Sequence, residues 1–113
     1  MENRRFQRMK INQMSVDISD GNGFFSGEIT DVSRFGLKLD SIPLKLDDRA
    51  KHLSIVVSGR GKNFKMKARP RWTQKQTYSK NLGVEILNAP FGWTEFVMDF
   101  EPKKKDVWGT IAL

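Results

Sequence analysis

The chain has 113 residues and no cysteine, so it is long enough for one domain around a single core and can build neither a disulfide framework nor a thiolate metal site. Hydrophobic residues make up 38%, with eight Phe, three Trp and one Tyr, a composition that excludes a disordered chain. Twenty Lys and Arg against thirteen Asp and Glu give a formal net charge of +7, which favours an anionic partner such as phosphate, nucleic acid or anionic lipid.

The chain opens on NRRFQRMKIN, residues 3–12, in which Arg4 and Arg8 stand at i and i+4 with Arg5 between them. No secretory apolar core is present there, and no stretch approaches the ~18 apolar residues of a membrane helix, so the expected compartment is the cytoplasm. Met14, Val16 and Ile18 then alternate with polar residues, as in a half-buried strand, and Asp20-Gly21-Asn22-Gly23 supplies a turn. Phe25, Ile29, Leu37 and Leu39 continue the pattern, interrupted by a polar link between Asp31 and Gly36. Leu53, Ile55 and Val57 form another strand, ended by Ser58-Gly59-Arg60-Gly61.

From Phe64 to Thr73 the alternation sets Phe64, Met66, Ala68, Pro70 and Trp72 on one face and Lys65, Lys67, Arg69 and Arg71 on the other. Pro70 cannot donate to a ladder, so an edge or a bulge is expected there. Leu82, Val84 and Ile86 make the last strand. Short strands without intervening helical periods indicate a mainly all-β fold, an antiparallel barrel or sandwich. The period changes near residue 90: Trp93, Phe96, Val97 and Phe100 make one apolar helical face between Pro90 and Pro102. A lysine-rich tail with Trp108 follows over 103–113.

Catalysis has little to work with. His52 is the only histidine and falls on the polar face of its strand. No cluster has metal-ligand spacing, and Gly59-Arg60-Gly61-Lys62 lacks the length and context of a phosphate loop. The chain is therefore expected to be no enzyme and to hold no cofactor or metal.

Two stretches remain, the opening arginines and Asp31-Val32-Ser33-Arg34-Phe35-Gly36. Together they suit a guanine nucleotide: the planar fork of arginine binds guanine or phosphate, and a carboxylate accepts from guanine N–H groups. Serine adds a bond, and glycine admits a close backbone approach. Arg4-x-x-x-Arg8 followed by Asp31-x-Ser33-x-x-Gly36 resembles the two-part signature of PilZ domains, bacterial receptors for cyclic di-GMP. Arg71-Trp72, Gly83-Val84-Glu85-Ile86 and the terminal helix are also similar to that family, across almost the whole chain.

The resemblance implies a six-stranded antiparallel β-barrel with a C-terminal helix, a single domain divided into an arm (1–11), a barrel (12–87), a helix (90–101) and a tail (103–113). It further implies Arg4 and Arg8 on phosphates and guanine faces, Asp31 and Ser33 on a guanine edge, and Gly36 at a close approach; Arg5 is included as a phosphate contact. The arm is then expected to fold over the barrel on binding cyclic di-GMP and to signal to a separate downstream protein in motility, biofilm or secretion control. Two rival readings are a single-stranded nucleic-acid module using the cationic stripe and a ligand-independent interaction domain using the Trp93 helix or Trp108 tail.

Overall fold

In the computed structural model, which describes residues 9–100, the chain forms six strands and one helix. They are β1 (Met9–Ser19), β2 (Phe24–Val32), β3 (Gly36–Pro43), β4 (Leu53–Gly59), β5 (Lys62–Lys75), β6 (Ser79–Ile86) and α1 (Trp93–Met98). All neighbours pair antiparallel in the order β1-β2-β3-β6-β5-β4, and β4 returns to β1 to close a barrel. Alternation alone left barrel and sandwich open; closure decides for the barrel and removes free strand edges. Arg4, Arg5, Arg8 and the tail lie outside the described residues. Among the described residues no helix is long and apolar enough to cross a membrane.

The inward residues are those the period of two selects, among them Val16 and Ile18 on β1, Leu37 and Leu39 on β3, Ile55 and Val57 on β4, and Leu82 on β6, all buried. Each such Val, Leu or Ile contributes about 1.5–3 kcal/mol by leaving water. β1 begins at Met9, inside the range 1–11 expected for the arm.

Register shifts break the alternation at four places, between Lys10 and Met14, Ile29 and Asp31, Leu39 and Ile42, and Pro70 and Trp72, and the second and fourth bear on the site. In β2, Ile29 pairs with Leu39 and Asp31 with Lys38, so Thr30 is the extra residue. In β5, Pro70 pairs with Val84 and Trp72 with Gly83, so Arg71 is extra. The proline thus sits beside a bulge, one of the two alternatives its missing N–H required. This bulge corrects the assignment of Trp72: it faces outward and is 41% exposed, because one inserted residue exchanges the two faces of the strand beyond it.

The barrel ends are closed differently. Where β5 turns into β6, Lys80 is buried, and its ammonium donates to Leu44 O, Leu46 O and an Asp48 carboxylate oxygen. The Lys80 hydrogen bond holds the Asp48 carboxyl below the usual range, against the opposing effect of burial. Nearby, Asp20 accepts from the backbone N–H groups of Asp47, Asn22 and Gly23, which lower its pKa as well and tie the first turn to the β3–β4 loop.

At the opposite end α1 inserts Trp93, Phe96 and Val97. Trp93 packs edge-on against Phe64 at 5.1 Å and lies stacked with Phe96 at 5.7 Å. The helix is shorter than the expected 90–101. It begins only after Gly92, whose φ of 86° is left-handed and incompatible with a helical turn.

Candidate functional site

The β2–β3 turn gathers three of the residues singled out in the sequence. The Thr30 bulge turns Asp31 onto the outer face opposite Lys38, whereas an unbroken alternation from Ile29 would send it into the core. Asp31 is nonetheless only 8% exposed. On its other side β1 pairs Lys10 with Asp31 and Met9 with Val32. The chain therefore passes from the arm into the sheet immediately beside this carboxylate.

The turn itself is held from several directions. Ser33 is buried, its N–H donates to Gly36 O at 2.9 Å, and its hydroxyl donates to the same oxygen at 3.3 Å. Ile86 N–H donates to Phe35 O at 2.9 Å, and the Trp93 indole N–H donates to Arg34 O at 3.2 Å. A Cβ at Gly36 would lie 3.2 Å from Val84 O and 3.5 Å from Ser33 Oγ, so the position suits glycine. Such bonds fix the loop backbone before any ligand arrives, which lowers the ordering cost of binding. The indole of Trp93 also makes the turn and α1 one packed unit.

Beside the turn, Phe35, Gly36, Arg71, Trp72, Gly83 and Glu85 line a hollow of about 150 Å³. The Trp72 indole lies directly over Gly83, where an added Cβ would fall 2.1 Å from Nε1. Glu85 stands 3.3 Å from Arg71 and 3.9 Å from Arg69, so the arginine half of the cationic stripe faces a carboxylate. Lys65 and Lys67, its other half, lie nearer the start of β5, opposite Val56 and Ser54 of β4. The stripe is thus not one continuous cationic surface.

Asp31, Ser33 and Gly36 therefore come together, while Arg4, Arg5 and Arg8 fall outside the described residues. His52 is exposed and lies just before β4, in the loop rather than on the polar face of a strand. Sequence reasoning passed over Lys80 as one lysine among many; the only signal was its place between Ser79 and an apolar run, where a strand face is buried. It also missed Glu85 as a partner for two arginines, and Trp93 as a support of the turn rather than simply a core residue.

No curated protein matches the chain by sequence. Among solved structures it is similar to the Bacillus subtilis inhibitor of motility MotI/DgrA, with a TM-score of 0.71 at 11% identity, covering 88% of this chain and 50% of that one. It is similar to the Escherichia coli YcgR PilZ domain with c-di-GMP, with a TM-score of 0.67 at 15% identity, covering 86% of this chain and 87% of that one. Crystalline YcgR in complex with c-di-GMP, also from Escherichia coli, matches with a TM-score of 0.61 at 14% identity, over 87% of this chain and 44% of that one. The chain thus spans about half the length of MotI/DgrA, and these likenesses establish the fold. The PilZ domain family model matches residues 2–91, from the paired arginines through the bulged strand to the start of the helical segment, and the chain belongs to the PilZ domain family.

Proposed function

We propose that this protein is a cyclic di-GMP receptor whose ligand is held between the arginine arm and the β2–β3 turn. The observation that carries this reading is the pairing of Met9 with Val32 and Lys10 with Asp31, which brings the arm into the sheet beside the acidic half of the motif. The ligand has two guanines and two phosphodiesters. Arg4 and Arg8 supply forks for phosphates and guanine faces, with Arg5 as a further phosphate contact. Asp31 accepts from a guanine N1–H and N2 amine, Ser33 adds a bond to the same edge, and Gly36 leaves room for the base.

Binding orders the arm over the barrel and creates a new surface, through which the signal passes to a downstream protein. Because Arg34 O is tied to Trp93, contact at the turn also bears on α1. Such a receptor acts in the cytoplasm, where a nucleotide messenger is available to it, and carries no catalytic step. The likeness to a motility inhibitor favours motility control as the output.

Calorimetric titration with cyclic di-GMP tests the reading. Arg8→Ala is expected to weaken binding more than tenfold, since losing one buried charged partner typically costs about 2–5 kcal/mol. Saturating ligand should slow amide exchange over residues 2–10. Absence of heat at micromolar ligand, or full affinity in Arg8→Ala, contradicts it.

A further inference from the structure

We infer that the outer face of β4, across the barrel from the β2–β3 turn, is a docking trough for an extended acidic segment of a partner protein. A hollow of about 420 Å³ lies here, lined by Phe24, Ser19, Ser54, Val56, Lys65 and Lys67 among others. Its shape follows from strand order. The small outward side chains of β4, Ser54 and Val56, form the floor between two taller walls. Lys65 and Lys67 rise from β5, paired across from Val56 and Ser54. Phe24, 88% exposed, stands on β2 opposite Ser19 of β1.

The electrostatics select the occupant. Neither Lys65 nor Lys67 has an ion-pair partner among the described residues, whereas Arg69 and Arg71 have Glu85 and Lys80 has Asp48. The carboxylate of the trough, Asp17, accepts a hydrogen bond from Ser26 Oγ at 2.7 Å instead. The barrel is closed, so no strand edge is free for backbone pairing, and recognition here must use side chains. Lys65 and Lys67 are alternate residues of one strand, on the order of 7 Å apart, which is the side-chain repeat of any extended peptide. An extended segment with carboxylates at alternate positions meets both ammonium groups. Its intervening apolar side chains, pointing the other way, then pack on Phe24.

The inference does not require nucleotide binding, so it stands or falls separately from the proposed function. Its test is an amide NMR titration of the full chain with the capped peptide Glu-Leu-Glu-Leu-Glu, beside Gln-Leu-Gln-Leu-Gln and a thymidine decamer. The acidic peptide is expected to shift Ser19, Ser54, Val56, Lys65 and Lys67 selectively, and the doubly substituted Lys65→Glu, Lys67→Glu protein, still showing a folded spectrum, to bind it at least ~tenfold more weakly. Phe24→Ser should weaken it too. Equal binding of the glutamine peptide, shifts spread over all surface lysines, unchanged binding by the charge-reversed protein, or shifts of these residues by the decamer alone would overturn the proposal.

Discussion

The two ends of the barrel are closed by opposite chemistries, and the difference bears on the proposed ligand site. At one end a buried ammonium satisfies two loop carbonyls and Asp48; at the other an indole fills the opening and reserves one polar atom for Arg34 O. The polar plug fixes a loop to the barrel. The aromatic plug, by contrast, supports the turn that carries Asp31, Ser33 and Gly36, so its packing and the geometry of the site are one problem.

Substitutions can separate these roles. The largest effect is expected from Trp93→Ala, which empties a fully buried site and should cost about 3–5 kcal/mol in chemical denaturation. Next is Lys80→Ala, at about 3 kcal/mol, because it strands Asp48 and two carbonyls that Lys80 had satisfied. This variant should leave cyclic di-GMP affinity unchanged in its folded fraction, whereas an equal loss of affinity would join the two ends functionally.

The polar end also predicts a pH dependence. The folded-state pKa of Asp48 is lowered, so its pairing contributes stability that is fully present above the ordinary carboxylate value of 3.8 and is lost as pH falls through the depressed value. Denaturation midpoints of Asp48→Asn should therefore fall less steeply than wild type below pH ~4. Trp93→Phe is smaller still: it keeps most of the packing but loses the hydrogen bond to Arg34 O, at about 1 kcal/mol. Measured calorimetrically, it should weaken nucleotide binding by roughly as much. Unchanged affinity would mean that the turn holds its shape without the indole.

Much of the fold was legible because most strands obey a period of two, as Met14, Val16 and Ile18 or Leu53, Ile55 and Val57 do. The bulges were not, and they matter most for the site. A strict alternation places Asp31 beside Ile29 in the core and Trp72 beside Ala68; inserting Thr30 and Arg71 moves both to the outer face. Pro70 signalled the second irregularity, through its missing donor, but no residue announces the first. Helix length was overread for a similar reason, since the apolar spacing from Trp93 to Phe100 carries no trace of the left-handed Gly92. Lys80 was illegible because its burial depends on carbonyls far along the chain.

On the proposed function, nucleotide recognition depends on the carboxylate at the β2–β3 turn and not on the lysines of β5. Calorimetric titration of cyclic di-GMP into Asp31→Ala, beside wild type and the doubly substituted Lys65→Ala, Lys67→Ala protein, tests it most directly. Wild type and the lysine variant are expected to bind at micromolar concentration or tighter, and Asp31→Ala more than tenfold more weakly, about the loss expected for one buried charged partner. Full affinity in Asp31→Ala, or a loss confined to the lysine variant, would contradict it.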